Sequence, residues 1–255
     1  MQLAFGAGAL WGNRTDVTGS GIGPDQFGIL QDVQIDWDWT TKELWGQSQF
    51  PVDIARGQGK ITGKAKFARI FGAIFGDLFF GQTPAAGQLT VSENEAATVP
   101  ATTPYTVTVA NAASYADDLG VFCAAGASAG NRFTRVTTPS AAGQYSVNLA
   151  TGIYTFAAAD AGAALLVSYL YTIGSAGKKL VLTNQFIGST PTFKATFYTT
   201  KTTHSTPAGL TLVLNACTAS KLSLPTKIDD YEIQEFDFSA FADPSGTIGT
   251  LSVNE

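Results

Sequence analysis

The 255-residue sequence predicts a mainly β protein, with an Ig-like sandwich inserted into a first β domain. Three observations predict it. Apolar and polar residues alternate with a period of two over long stretches, a single short stretch has helical spacing, and two Gly-rich joints bracket a central region without lysine.

Residues 1–26 are Gly-rich and weakly patterned, as in an extended arm or long loop. Alternation then begins. Phe27, Ile29, Val33, Ile35, Trp37 and Trp39 share one face, interrupted by Gln31, while Asp32, Gln34, Asp36 and Asp38 share the other. This is the pattern of a half-buried strand with an outward carboxylate row. A second strand covers 60–67, with Ile61, Ala65 and Phe67 on one face and Lys60, Thr62, Lys64 and Lys66 on the other. Opposite charge rows favour pairing of these strands within one chain, or fix register across a subunit boundary.

Residues 68–80 change period. Ile70, Ile74 and Leu78 recur every four residues with Phe71 and Phe75 alongside, which predicts one short amphipathic helix lying across a sheet. A linker at 81–87 follows. From 88 to 172 Ala, Thr and Gly dominate, and short β runs at 105–109, 121–124, 132–137, 145–148, 153–156 and 165–171 alternate with turn residues, as in an Ig-like antiparallel sandwich. A second joint at 173–177 closes it. The expected division is therefore 1–87 and 173–255 for the first domain and 88–172 for the insertion. In the remainder, strands are expected at 179–186, 192–199, 210–216, 228–238 and 247–253. The parity slip between Tyr231/Ile233 and Phe236/Phe238 predicts a bulge near Gln234.

Composition narrows the function. The chain is 14% charged, against about 25% in an average soluble domain, and 45% hydrophobic. Sheet surfaces covered by neighbours account for that balance. A net charge of −5 and a pI near 4.8 argue against a general nucleic-acid binder, which needs basic stripes to displace counterions. They suit a protein that nucleic acid slides past. Cys123 and Cys217 fit no metal or redox spacing and read as buried free thiols. The N-terminus lacks the basic region of a signal peptide, and no apolar run is long enough to span a bilayer.

Motifs with chemical content fail on context. Gly126-Ala-Ser128-Ala-Gly130 matches a nucleophile elbow, with Asp160 and His204 following in hydrolase order. The elbow needs a helix after the serine, whereas the residues after Gly130 are β-branched and end in proline. His204, the sole histidine, lies in a polar turn and excludes the common zinc patterns. The segment 59–65 is one residue short of a P-loop and has Ala65 where Ser or Thr must hold Mg²⁺. Asn13-Arg14-Thr15 is a glycosylation sequon only in a secreted eukaryotic protein. Asp229, Asp230, Glu232, Glu235 and Asp237 lack the glycine turn of a calcium loop and read as an acidic surface. No catalytic, cofactor or metal residues are expected.

Three runs carry a family resemblance: 30–51, leading into 55–67 and the helix behind it, and 231–251. They resemble bacteriophage tail tube (major tail) proteins, and 145–156 with 159–162 resemble accessory β domains of phage structural proteins. The resemblance implies a tail-tube-type β-sandwich or partly closed barrel with one flanking helix. It also implies a virion protein, assembled in the host bacterial cytoplasm, whose hexameric rings stack into a tube that conducts DNA. Implied partners are further copies, tape measure, terminator and distal tail proteins, a sheath if the tail contracts, and viral DNA passing without specific binding. Lumen-facing candidates are Asp32, Asp36 and Asp38, or Asp230 and Glu232 with Gln234. Candidates for contacts between subunits are Lys60, Lys64 and Lys66, with Leu44, Trp45 and Phe50 in the loop 41–51, unless that loop folds over its own core. Two other readings stay open: an adhesion or carbohydrate-binding β module, and the tube of a contractile injection system.

Overall fold

The computed structural model describes residues 6–17, 23–69, 72, 74–203, 206–226 and 228–253. The chain is mainly β and divides into two compact units, Met1–Pro84 with Leu180–Glu255, and Ala85–Lys179.

The first unit is one eight-stranded antiparallel sheet. Its path runs from β2 (Asp25–Gln26) through β1 (Ala9–Arg14), β12 (Phe193–Thr203), β13 (Thr206–Ser223), β14 (Gln234–Phe241) and β4 (Pro51–Phe67) to β3 (Leu30–Trp45), with β15 (Gly249–Val253) also on β13. β13 changes partner along one edge: 210–214 pair with β15 and 216–223 with β14. β1, read from sequence as a loose arm, is a full strand on β12.

The two ends of this path, β2 and β3, are separated in sequence only by Phe27, Gly28 and Ile29. The sheet therefore curls back towards itself. No ladder joins β2 to β3 among the described residues, so the sheet is curled but no barrel closes. Phe27 spans the gap. Its N–H donates to the Leu10 carbonyl at 2.9 Å, and its buried ring meets Phe67 and Phe236 edge-on at 5.3 and 5.2 Å. Phe193 and Phe238 complete this aromatic core, with Leu10, Leu212 and Leu214 around it.

The helix is shorter than its periodicity suggests, spanning Ile74–Phe80 with wide π-type turns, and Gly81 ends it at φ +65°. Ile70 and Phe71 of the expected stretch lie outside the described residues. Ile74 and Leu78 are buried against the sheet, as the four-residue period predicts, and Gly12 of β1 leaves the space that Leu78 fills.

Two strands expected in this unit are corrected. Residues 180–192 form no strand. β14 starts at Gln234 rather than 228, so the parity slip marks the beginning of a strand, not a bulge. Upstream, Asp230 Oδ1 accepts the N–H of Tyr231 at 2.8 Å, a local bond that competes with ladder formation, and Ile228 and Tyr231 stand out in solvent. The register shift lies on the facing strand, between Ala219 and Lys221 of β13.

The second unit has a four-stranded sheet, β6 (Thr106–Thr108), β10 (Ile153–Phe156), β9 (Gln144–Asn148) and β8 (Thr134–Arg135), and a three-stranded sheet, β5 (Ala85–Thr98), β11 (Ala164–Lys179) and β7 (Tyr115–Ala125). Both sheets contribute to one core, which includes Val121, Cys123, Tyr154, Phe156, Leu165, Val167 and Tyr169. The second expected joint, 173–177, is strand throughout, and the first, 81–87, becomes strand at Ala85. Ile173 pairs with Gln88, and after an irregularity Lys178 and Lys179 pair with Ala86 and Ala85. The unit therefore spans 85–179, not 88–172. The glycines disturb the side-chain pattern while the backbone ladder resumes past them, with Gly87 and Gly177 at φ +99° and +76°.

Within this core, tyrosine hydroxyls hold two carboxylates. Asp118 accepts from Tyr145 and Tyr154 at 2.7 and 2.9 Å, and Arg135 lies 3.7 Å away. Glu95 accepts from Tyr169 at 2.5 Å and from the Ala110 N–H at 2.8 Å. Burial is the main reason the Tyr145 and Tyr154 hydroxyls are held well above the ordinary tyrosine range. The Asp118 bond then adds to the shift at Tyr145, and the Tyr115 bond at Tyr154.

Candidate assembly surface

Register in the first unit turns the charge rows of the sequence into one surface. Asp32 lies opposite Lys66, Gln34 opposite Lys64, Asp36 opposite Thr62 and Asp38 opposite Lys60. On the other side of β4, Lys66 lies opposite Glu235 and Lys64 opposite Asp237, and beyond β14 Asp237 lies opposite Lys221. The outer face of β3, β4, β14 and the end of β13 thus carries rows of alternating sign. Contacts follow the rows: Lys64 and Lys221 both reach Glu235, the latter at 3.7 Å, and Lys66 lies 3.8 Å from Asp32. Five carboxylates stand among four lysines, so the face is nearly neutral. Such exposed pairs are each worth ~0–1 kcal/mol and set register more than stability.

The glycines of the apparent P-loop have a packing role. A Cβ at Gly63 would overlap the Phe238 ring, and one at Gly59 would come within 2.7 Å of Trp39 Nε1. Both occupy the inner face of β4, beneath rings from the neighbouring strands.

This four-stranded surface has two open edges. β3 ends the sheet. Residues 218–223 of β13 lie beyond the end of β12, whose pairing begins at Phe193–Cys217, so this stretch carries a partner on its β14 side only, among the described residues. Lys221 stands on that edge.

β3 and β4 also run far past their neighbours. β14 covers β4 only up to Ile61, and beyond it the two strands form a bare ribbon. Along it, Trp37, Trp39, Leu44, Trp45, Phe50, Val52 and Ile54 are 43–78% exposed. Arg56 lies 4.9 Å over the Trp39 ring. Leu44, Trp45 and Phe50 therefore project into solvent and do not fold over the subunit's own core, and 41–45 belong to a strand rather than a loop.

The remaining candidates fall elsewhere. Asp230 and Glu232 lie in the irregular segment before β14, and Gln234 is buried, so Glu235 and Asp237 take the places on the charged face. Phe236 and Phe238, alternating with these two, were the available signal. Ser128 sits in a hairpin loop and donates directly to the buried Asp160 at 3.3 Å, while Asp160 also accepts the Gly143 N–H at 3.0 Å, an arrangement that ties two loops together. His204 lies outside the described residues. Among the described residues no cluster of metal-ligating side chains occurs, and no helix is long and apolar enough to cross a membrane. Cys123 and Cys217 are free and buried, and burial pushes the Cys217 thiol up to about 12.

On the second unit, Glu93, Asn94, Arg132, Leu119 and Phe122 line a cleft of about 270 Å³ on the three-stranded sheet. In comparison with known proteins, the chain matches no family model and no curated relative.

Proposed function

We propose that the chain is a non-enzymatic structural subunit of a phage-type tail tube, and that copies close into hexameric rings which stack around a DNA channel. The first unit would be the tube-forming β domain and the second an Ig-like accessory domain. The observation that carries this reading is the β3–β4 ribbon with its exposed tryptophans. A two-stranded ribbon is marginal in water by itself, and contiguous exposed apolar side chains mark an interaction surface. Burying each Trp or Phe in a partner is worth roughly 1.5–3 kcal/mol, enough to repay the ordering of the ribbon. Open edges at β3 and β13 support the same reading, because edges left bare invite pairing and a closed ring removes them. The alternating charge rows make the outer face nearly neutral, so a channel lined by it would hold DNA neither by attraction nor by strong repulsion. The reading needs no cofactor.

Negative-stain microscopy of the purified chain, with light scattering for mass, tests this. Rings or tubes with six-fold views are expected. A monodisperse monomer at high concentration would sink the proposal.

One observation favours an adhesion role for the second unit. The cleft combines carboxylate, amide and guanidinium groups with an exposed aromatic edge, the mixture that binds polar ligands with one apolar face, such as saccharides. Glycan-array binding by the whole chain, lost on Arg132→Ala, would support it; no binding to any glycan would remove it.

A further inference from the structure

We infer that neighbouring copies join edge to edge, with residues 218–223 of β13 in one copy adding to the β3 edge of the next, and that Lys221 sets the match. This rests on the ring-forming reading above. The strands β3, β4, β14 and β13 alternate in direction, since each adjacent pair is antiparallel. A new β3 laid against β13 therefore continues the antiparallel order without a break. The signs continue too: acidic β3, basic β4, acidic β14, and Lys221 on β13, followed by the acidic row of the next copy.

The alternatives are disfavoured by the same pattern. Joining β3 to β3 about a two-fold axis would set Asp32, Asp36 and Asp38 against their own copies, and joining β13 to β13 would set Lys221 against Lys221. Like charges directly across a ladder are destabilising. The sign pattern thus selects the head-to-tail contact, which propagates into a ring, over the two-fold contact, which stops at a dimer.

Register identifies the partners. Lys221 is level with Asp237, Lys64 and Gln34 across the sheet. In an unsheared join it therefore faces Gln34 of the next copy, with Asp32 and Asp36 on the diagonals. Gln34 already holds Asp36, donating to its two oxygens at 3.1 and 3.0 Å. Closure into a ring shifts the strands along one another, yet outward residues recur at every second position, so Lys221 still meets this row.

Two experiments on the full chain test the seam. In the first, Lys221→Glu is expected to raise the concentration for half-assembly at least tenfold, and combining it with Asp36→Lys to recover most of the loss, with circular dichroism reporting that each variant is folded. In the second, Lys221→Cys is combined with Gln34→Cys. Within one chain these positions are three strand spacings apart, roughly 14 Å, beyond the ~7 Å that a disulfide bridges, and the native cysteines are buried. Mild oxidation should therefore give a ladder of linked chains up to the ring number, with no ladder from either single variant. Assembled wild type together with an indifferent Lys221→Glu and no ladder overturns the seam alone. A wild type that never assembles overturns the ring-forming reading and the seam with it.

Discussion

Phe238 on β14 lies over Gly63 on β4, in the space that any side chain at position 63 would occupy. The ring is 1% exposed and is packed against Phe193 and Phe236 at 5.9 and 6.3 Å, so it has nowhere to turn. Gly63→Ala should therefore destabilise the first unit by about 1–3 kcal/mol, the usual cost of overpacking. Gly59→Ala meets Trp39, which is 48% exposed and free to swing outward, and should cost less than 1 kcal/mol. Urea unfolding followed by tryptophan fluorescence compares the two. Equal costs would show that the Phe238 contact is not what holds position 63 to glycine.

Asp25 favours the folded first unit in mild acid over neutral pH. Burial, with the Asp77 carboxylate nearby, pushes its pKa up to about 6, against about 3.9 for an unfolded aspartate. Between pH 4 and 6 the folded chain binds the extra proton, so this group's contribution to stability falls as pH rises through that window and stays lost above it. Asp25→Asn should raise the melting temperature at pH 7 and flatten its dependence between pH 4 and 6. An unchanged melting temperature at pH 7 would show that the charge at position 25 is relieved by solvent.

At the other end of the pH scale the tyrosines of the second unit decide. Unfolded tyrosines ionise near pH 10, while Tyr145 and Tyr154 are held neutral well above that by burial and by their hydroxyl bonds. Above pH 10 the unfolded chain therefore releases protons that the folded chain keeps, and stability falls as pH rises. Tyrosinate absorbance at 295 nm should increase in step with loss of β circular dichroism. Tyr145→Phe should cost about 1–2 kcal/mol, by leaving Asp118 with one hydroxyl donor fewer. Free titration of all tyrosines before any unfolding would contradict the buried network.

Much of this fold is legible in the residues, and the failures have a common cause. Val33, Ile35 and Trp37 alternate with Asp32, Gln34 and Asp36, and the structure makes that stretch a strand with its carboxylates outward. Charge sign also foretold the pairing of β3 with β4, since an acidic row favours a basic neighbour. What sequence could not give was register among more distant strands, and so the basic row reads equally well as a partner for another subunit. In the structure Lys66 lies between Asp32 and Glu235, and Lys64 between Gln34 and Asp237, all within the chain. Glu235 and Asp237 read as an acidic surface, but Lys221 was missed, because the face it shares with them exists only once β13 and β14 are paired. β1 and β5 were hidden by small residues. Gly12 is small to admit Leu78, and 85–87 have a linker's composition although Ala85 and Ala86 form a ladder with Lys179 and Lys178.

The ribbon separates folding from assembly. Trp45 and Phe50 are 57% and 78% exposed, and among the described residues no third strand covers the β3–β4 ribbon beyond Ile61. Replacing both by serine removes apolar surface that the isolated subunit does not bury, so its unfolding free energy should stay within about 0.5 kcal/mol of the parent. The same change should abolish rings or tubes, because an interface loses two aromatic anchors whose truncation commonly costs 2 kcal/mol or more each. Urea unfolding and negative-stain microscopy on one preparation read both effects. A double variant that assembles as well as the parent would place the contacts between copies elsewhere on the subunit. One that fails to fold would show that the ribbon's aromatics serve the monomer, contrary to their exposure.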